Sequence, residues 1–183
     1  AISMEGLFEG CALFDQDISG WNVSNVQSMT GMFNGATVFN QNIGGWDVAN
    51  VQRMDLMFSE SAAFNQNISN WNVSKVLTMK EMFKLAASFD QDISGWDITN
   101  VTDMSQMFYG NQAFNQDLGS WNISQVLNLT GMFSNTGLST DNYDKTLLGW
   151  SNLPFLRSFI TFDAGISEYC ESAAARQQII DSF

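Results

Sequence analysis

The sequence predicts an α/β repeat fold, a right-handed solenoid of strand-helix-turn coils with parallel strands and a C-terminal cap. Three observations predict it. Tryptophan recurs every 25 residues from Trp21 to Trp121 without an insertion. Apolar and polar residues alternate with period two around each tryptophan. Apolar residues at helical spacing follow each of these segments. Because a unit of this size cannot bury its own apolar side, successive units would stack and bury a continuous one.

Aromatic and methionine columns define the repeat. The tryptophan column is Trp21, Trp46, Trp71, Trp96 and Trp121, two phenylalanine columns run from Phe14 to Phe114 and from Phe8 to Phe133, and a methionine column runs from Met4 to Met104 and ends in Leu129. A single inserted residue would move every later side chain out of its column, and none is inserted. We therefore assign residues 1–136 to a solenoid of about five repeats.

Two local periods suggest the elements of each coil. Trp21 and Val23 lie two residues apart and would face the core, which indicates a short half-buried strand. Met29, Met32 and Phe33 stand at i, i+3 and i+4, which indicates a short helix. The polar stretch from Phe14 to Asp17 would then be the turn that returns the chain to the next strand.

Beyond Gly137 the aromatic residues no longer recur every 25 residues. Because an open last coil would expose backbone polar groups and an apolar end, we expect residues 137–183 to form a capping segment. Within it, composition predicts helices over Asp141 to Trp150 and Ser172 to Ile180. The stretch from Phe159 to Phe162 is a candidate final strand.

Composition excludes several classes of function. Lys plus Arg number 7 and Asp plus Glu number 19, and the net charge of −12 disfavours nucleic acid and anionic membranes as partners. The absence of histidine removes Ser-His-Asp and Cys-His catalysis and the usual zinc sites. A hydrolase built on Asp47 and Asp97 would hold its carboxylates two coils apart, roughly 10 Å. We expect a non-enzyme without a cofactor.

The repeat resembles a known family. Strings such as Phe64-Asn-Gln-Asn-Ile-Ser-Asn-Trp71-Asn-Val-Ser-Lys-Val76 resemble the repeats of BspA-like leucine-rich-repeat surface proteins. The resemblance implies a leucine-rich-repeat solenoid in an exported or cell-surface protein that binds a protein or glycan and adheres through it. It implies an extracellular or cell-surface location. The absence of an apolar run of about eighteen residues predicts no direct membrane insertion, and the small number of coils suggests a fragment of a larger array. The alternative is a structural spacer or stalk within a larger surface protein.

The outer face of the predicted strand is the candidate ligand-binding surface. Its residues are small and polar and recur in every repeat: Asn22, Asp47, Asn72, Asp97 and Asn122, flanked by Ser24, Ser74, Thr99 and Ser124. Repeat proteins bind through such exposed faces, while inward columns only pack. The alternative is that these side chains merely keep one face of a sheet soluble.

A second polar column has two interpretations. Asn and Asp recur from Asp15 to Asn115 with a Gln beside each, and stacked amides could hydrogen-bond from coil to coil as a structural ladder. The rival is calcium, because Asp15 with Asp17 and Asp90 with Asp92 offer clustered hard oxygens. The spacing matches no complete calcium loop, so the ladder is favoured.

Two cysteines are present. Cys11 stands where later coils have small residues such as Ala36 and Ala86, which predicts a small buried filler. Cys170 lies in the tail, several coils away. A disulfide permits a Cα separation of about 7 Å at most, so both are expected to be free thiols.

Overall fold

The computed structural model of the chain describes residues 2–154, 161–162, 174 and 177. In that part of the chain there are four short strands and one defined helix: β1 Ile2–Ser3, β2 Val26–Ser28, β3 Asn128–Leu129, α1 Thr140–Ser151 and β4 Thr161–Phe162. Strand β1 pairs in parallel with β2, and β3 pairs in parallel with β4. The repeats consist mainly of turns and irregular backbone.

The predicted α/β solenoid of strand-helix-turn coils is wrong. No helix occurs between residues 2 and 139, and the segment around each tryptophan is a turn rather than a strand. The resemblance implied a leucine-rich-repeat architecture with right-handed strand-helix coils, and that implication is wrong for the same reason. What the structure has instead is a series of 25-residue units, each made of consecutive turns and joined to its neighbours by hydrogen bonds.

Left-handed residues explain why the methionine and phenylalanine stripe is not helical. In the second repeat, Gly31 and Gly35 have φ of 61° and 72°, and each is the third residue of a four-residue turn. Residues at the same two positions of later repeats also have positive φ: Leu56, Glu60, Glu81, Leu85, Gln106, Gly110, Gly131 and Asn135. A right-handed helix cannot contain such residues, so the i, i+3, i+4 pattern here marks side chains that share the buried side of a run of turns.

Alternate backbone N–H groups of this run bond to the next repeat. The N–H of Met54 donates to Thr78 O, Leu56 to Lys80 O, Phe58 to Met82 O and Glu60 to Lys84 O, over 2.8–3.1 Å. The same four bonds recur at every junction from the first repeat to the last. The N–H groups between them bond within the repeat, as Met57 does to Met54 O and Ser59 does to Leu56 O. The buried backbone is thereby satisfied without a helix or an extended strand.

A narrow parallel ladder runs beside the turns. Single-residue bridges join Ser28 to Arg53, Arg53 to Thr78, Thr78 to Asp103 and Asp103 to Asn128. These bridges connect the β1–β2 pair to the β3–β4 pair, and the contacting residues advance by one repeat at each step. Parallel pairing is therefore present, but it lies at Val26–Ser28 and at the later residues equivalent to Ser28, and not at the tryptophans.

Aromatic side chains fill the core in register. Phe33 stacks on Phe58 and Phe58 on Phe83, with ring centroids 5.5 and 5.6 Å apart and planes within 6°. Within a repeat, Phe58 and Phe64 stack at 4.0 Å. Both phenylalanine columns are fully buried from the second repeat onward, and each ring contributes about 1.5–3 kcal/mol on the transfer scale.

The tryptophans are buried, as predicted, from the second repeat onward. Trp46, Trp71 and Trp96 each have 4% of their surface exposed, and Trp121 has none. Each indole Nε1–H donates to a backbone carbonyl of the preceding repeat, as Trp71 does to Ile43 O at 3.1 Å and Trp96 does to Ile68 O at 3.1 Å. Trp21, in the first repeat, is 39% exposed.

Helix α1 covers the last repeat. Its N-cap, Ser139, has an extended backbone, and the Ser139 hydroxyl accepts a hydrogen bond from Asn142 N–H. Gly149 packs against Gly119 so closely that an added Cβ would lie 2.2 Å from Gly119 O. Trp150 is fully buried and stacks on Phe133 with centroids 6.1 Å apart.

The tail predictions have mixed outcomes. The helix predicted over Asp141 to Trp150 is confirmed as α1. The candidate final strand is confirmed at Thr161–Phe162, while residues 159 and 160 lie outside the described residues. Of the helix predicted over Ser172 to Ile180, only Ala174 and Gln177 are described, and both are helical. The division into residues 1–136 and 137–183 stays a prediction.

We predict that Gly35→Ala lowers the free energy of unfolding by about 1–2 kcal/mol, because an alanine at φ 72° is strained in the left-handed region. An added Cβ would meet only Gly10 backbone atoms, the nearer of them Cα at 3.5 Å, so the cost is conformational rather than steric. Gly45→Ala is the matched control, since Gly45 has no positive φ and nothing within 4 Å of an added Cβ. Urea denaturation of both variants checks this, and equal effects would contradict it.

Candidate recognition face and polar columns

The predicted recognition column lies on exposed turns. Asp97 Oδ1 accepts a hydrogen bond from the backbone N–H of Thr99 at 3.1 Å, and Asn72 Oδ1 accepts one from Ser74 N–H at 3.2 Å. The other members of the column make the same turn: Asn22 with Ser24, Asp47 with Ala49, and Asn122 with Ser124. All five column residues are exposed. The candidate residues thus share one surface, but the expected strand face is wrong.

The flanking hydroxyls mostly point back into these turns. Ser24 Oγ, Ser74 Oγ and Thr99 Oγ1 each donate to the column oxygen two residues before them, over 2.6–2.7 Å. Ser124 contributes its backbone N–H to Asn122. The predicted alternation of buried and exposed residues is confirmed from the second repeat onward, as Trp71 and Val73 are buried and Asn72 between them is exposed; in the first repeat Val23 is buried but Trp21 is exposed. Short Asx turns produce that alternation as well as a strand does.

The column presents alternating hydrogen-bonding groups to solvent. Oδ1 of each residue accepts the hydrogen bond of its own turn, and on these exposed side chains Nδ2 of the asparagines and Oδ2 of the aspartates make no hydrogen bond to the described residues. Along the stack the outward atoms are a donor at Asn22, an acceptor at Asp47, a donor at Asn72, an acceptor at Asp97 and a donor at Asn122. The turns fix the position of each Oδ1 atom, so the row is organised by the fold itself.

The second polar column is a structural ladder, as predicted. Asn65 N–H donates to Asn40 Oδ1 at 3.0 Å, and Asp90 N–H donates to Asn65 Oδ1 at 3.1 Å. The neighbouring glutamines join the same acceptors, as Gln91 Nε2 does at Asn65 Oδ1 over 2.7 Å. The acceptors are side-chain oxygens and the main donors are backbone N–H groups, so the ladder is not a simple stack of amides. It ties each repeat to the next in addition to the backbone bonds of the methionine turns.

The ladder continues into helix α1. Asn115 Oδ1 accepts hydrogen bonds from Ser139 N–H at 2.8 Å and from Asn142 Nδ2 at 3.1 Å. Trp150 Nε1 donates to Leu118 O at 2.9 Å, and Trp46, Trp71, Trp96 and Trp121 make the same kind of bond to the repeat before them. In the ladder and at the tryptophan position, the helix therefore supplies the donors that a further repeat would supply.

Sequence reasoning missed this role for Trp150, because Trp150 does not follow Trp121 at the step of the repeat. One signal could have found it. Leu147 precedes Trp150 by three residues, as Ile18 precedes Trp21 and Leu118 precedes Trp121, and a glycine lies between them in all three places. The three-residue spacing from the aliphatic residue to the tryptophan is therefore kept, although Trp150 does not follow Trp121 by one repeat length.

The carboxylates of the two aspartate pairs considered for calcium make structural hydrogen bonds. Asp15 and Asp90 belong to the ladder, where Asn40 N–H and Asn115 N–H bond to their Oδ1 atoms. Asp17 and Asp92 each accept a hydrogen bond from the serine two residues later, at 2.9 Å. The two aspartate pairs are three repeats apart. Among the described residues, no group of three or more Asp, Glu, His or Cys is placed to hold a metal ion.

Cys11 is a free thiol, as predicted, but the prediction that it is buried is wrong. Its side chain is exposed, whereas its equivalents Ala36, Ser61 and Ala86 are fully buried. In later repeats the side chain at this position contacts the preceding repeat, as Ser61 Oγ does by donating to Phe33 O. No described residue covers Cys11 in this way. Cys170 lies outside the described residues.

Hydrogen bonds lower the pKa of three exposed aspartates. The Thr99 hydroxyl and then the Thr99 backbone N–H hold the pKa of Asp97 below its usual value of 3.8. Ser19 and Ser94 lower the pKa of Asp17 and Asp92 in the same way. All three carboxylates therefore stay ionised at neutral pH, and Asp97 keeps its charge in the outward row.

The fold and the columns define a protein of stacked 25-residue repeats closed by a helix. The family described as Mycoplasma protein of unknown function, DUF285, matches this chain over residues 1–76 and 42–146, and the chain belongs to that family. The family is found in BspA-like surface proteins. None of the curated proteins and none of the solved structures matches the chain. Among the described residues, no helix has the length and apolar character needed to span a membrane.

We predict that Thr99→Ala raises the pKa of Asp97 toward 3.8, since it removes the larger of the two causes of the lowering. A carboxyl with a lowered folded-state pKa contributes stability above its unfolded-state pKa and loses it as pH falls through the folded value. The variant should therefore lose less stability than the parent when the pH is lowered below about 4. Titration of the Asp97 carboxyl by NMR, with Ser74→Ala as control, checks the shift; an unchanged pKa in Thr99→Ala would contradict it.

Proposed function

We propose that the chain is a non-enzymatic recognition module of an extracellular or cell-surface repeat protein. Its ligand is a protein or glycan, which it contacts through the exposed column from Asn22 to Asn122. The observation that carries the proposal is the alternation of fixed outward donors and acceptors along that column. A ligand with regularly spaced hydroxyl or amide groups can bond to several of them at once, and such multiple contacts raise affinity without a deep pocket.

Preorganisation supports a recognition role. The asparagine and aspartate side chains are already held by their turns, so binding costs less side-chain entropy than it would with free side chains. The rigid stack beneath them, with stacked rings and backbone bonds at each junction, keeps the groups in line. Such an arrangement resembles the repeat faces that bind extended partners.

The family membership and the charge support the location and the partner class. The repeats resemble those of BspA-like surface proteins in sequence, and DUF285 repeats are found in such proteins. A net charge of −12 disfavours phosphate backbones and anionic lipid surfaces as ligands. A neutral glycan or a neutral to basic protein surface fits the column better.

A spacer is the second candidate function. The continuous hydrogen-bonded ladder and the unbroken aromatic stack favour it, because both stiffen the chain along the stacking direction whether or not a ligand binds. In that role the polar columns would only keep the surface hydrated.

We predict that Asp47→Asn with Asp97→Asn weakens ligand binding about tenfold or more, because both outward acceptors of the column are lost. Asparagine keeps the Oδ1 atom that accepts the turn hydrogen bond, so the fold should be retained. The measurement probes the labelled chain against an array of glycans, peptides and matrix proteins and then titrates the strongest binder.

The matched control is Asp17→Asn with Asp92→Asn. It makes the same change of charge on the same kind of exposed turn, but in a different column. Retained binding in the control and weakened binding in the Asp47 and Asp97 variant support the recognition column. An equal loss in both variants would indicate general charge attraction, and a parent chain that binds nothing on the array would favour the spacer.

A further inference from the structure

Six segments of the chain match Asn-x-Ser/Thr, the acceptor sequence for N-linked sugars, and they begin at Asn22, Asn67, Asn72, Asn100, Asn122 and Asn128. Three of them follow from the repeat, because Asn22, Asn72 and Asn122 share one column and each has a serine two residues later. Asn67 belongs to another column, in which the equivalents are Asp17, Asn42, Asp92 and Asp117. None of those four begins an acceptor sequence. Repetition therefore does not explain the acceptor sequence at Asn67.

The turn at Asn67 leaves the nitrogen of its amide free. Asn67 and Ser69 are both exposed, while Ile68 between them is fully buried and anchors the turn. Asn67 Oδ1 accepts hydrogen bonds from Ser69 N–H at 3.0 Å and from Ser69 Oγ at 2.7 Å. Asn67 Nδ2, the atom that would carry a sugar, donates to none of the described residues. The amide is thus held by its oxygen, with its nitrogen at the surface.

The two bonds to Asn67 Oδ1 favour the chemistry of sugar transfer. As a base of the transferase withdraws a proton from Nδ2, negative charge builds up on Oδ1, where the two Ser69 donors stabilise it. Nδ2 then bonds to C1 of the sugar, and the bond from C1 to the diphosphate of the activated sugar breaks. The co-reactant is a diphosphate-linked sugar, and the products are the glycosylated amide and the free diphosphate carrier.

The surface around Asn67 has room for a sugar. The neighbours of Asn67 in the adjacent repeats are Asn42 and Asp92, both short and exposed. Gly45 and Gly95, the equivalents of Asn70 in those repeats, have no described atom within 4 Å of an added Cβ. A sugar on Nδ2 can therefore extend into solvent without displacing a large side chain.

The acceptor sequence at Asn100 is equally exposed but engaged. Asn100 Nδ2 donates to Ser74 O at 2.8 Å, and Thr102 Oγ1 donates to Leu77 O at 3.1 Å. Both side-chain groups of this acceptor sequence therefore bond to the preceding repeat. Transfer to Asn100 requires these two hydrogen bonds to break first.

The other four acceptor sequences are less exposed than the one at Asn67. Asn128 lies in β3 and is half-buried, as is Thr130 two residues later. The serines that follow Asn22, Asn72 and Asn122 are all half-buried: Ser24, Ser74 and Ser124. Among the six, the sequence at Asn67 alone combines an exposed asparagine, an exposed hydroxyl and an Nδ2 atom without a described partner.

We propose that Asn67 is an acceptor for an N-linked sugar and that the folded chain offers it ahead of the other five asparagines. The proposal rests on the extracellular or cell-surface location proposed above, because N-linked sugars are carried on the surface of exported proteins. Asn67 lies outside the recognition column, so the sugar modifies none of the five column residues.

The test treats the purified full chain with an N-glycosyltransferase that transfers glucose from uridine-diphosphate glucose to Asn-x-Ser/Thr. Synthetic peptides of residues 63–73 and 96–106 give the rates of the enzyme on the Asn67 and Asn100 sequences outside the fold. Asn67→Asp is the matched variant, because Asp92 makes the same turn with Ser94 and a carboxylate cannot accept the sugar. Asn100→Gln is the control. Mass spectrometry of the intact chain and of its proteolytic peptides gives the rate at each asparagine.

Relative to the peptides, Asn67 in the folded chain should react about tenfold or more faster than Asn100, whose acceptor sequence must break two hydrogen bonds. The parent and Asn100→Gln should gain the first hexose at equal rates, and Asn67→Asp should lose this first addition. Equal relative rates at Asn67 and Asn100, or a first hexose on any of the other five asparagines, would overturn the proposal. The assay contains no ligand of the recognition column, so such a failure leaves the proposed function untouched.

Discussion

The hydrogen bonds between neighbouring repeats are the constraint on which the rest of the structure depends. At each junction four backbone N–H groups bond to carbonyls of the next repeat along the chain, as Phe58 N–H does to Met82 O. This fixes the vertical spacing, and with it the stacking of the rings and the register of the polar columns. An isolated repeat would leave these groups to water, so each unit derives its stability from its neighbours.

The remaining interactions enforce the same register in three other places. The indole bonds hold the tryptophan segments, as Trp71 does through Ile43 O. The ladder through Asn40 and Asn65 holds the polar turns, and the phenylalanine columns hold the centre. Because every set has the same step, a slip in one would break the others, which makes an aligned row of surface groups from Asn22 to Asn122 possible.

The contents of the columns could be predicted from the sequence, while the path of the backbone could not. Side-chain periodicity reports which residues share a side, so the burial of the tryptophans and the existence of the amide ladder followed from it. The same periodicity is compatible with a strand, a helix or a run of turns. Leu56, Glu81 and Gln106 have left-handed backbone conformations, which are compatible with turns and not with a helix or a strand. Residues of these types rarely adopt such conformations, so the sequence gives no sign of them.

The candidate column was predicted as the outer face of a strand, and only the exposure and alignment of its residues are correct. Its residues are exposed and aligned as expected, but Asx turns place them, and the true parallel bridges lie farther along each repeat at residues such as Arg53 and Thr78. Helix α1 was recognised from its composition, yet its use of Trp150 in place of a sixth column member requires the folded contacts. Irregular spacing at the end of an array conceals this kind of substitution.

Scalar couplings across hydrogen bonds test the arrangement most directly. A long-range NMR experiment that correlates a backbone nitrogen with the carbonyl carbon bonded to it should connect Phe58 N with Met82 C′ and Phe83 N with Met107 C′, pairs that lie in adjacent repeats. Couplings from these nitrogens to carbonyls one helical turn earlier in the same repeat would instead indicate helices. That result would contradict the stacked-turn architecture and remove the basis for the aligned column.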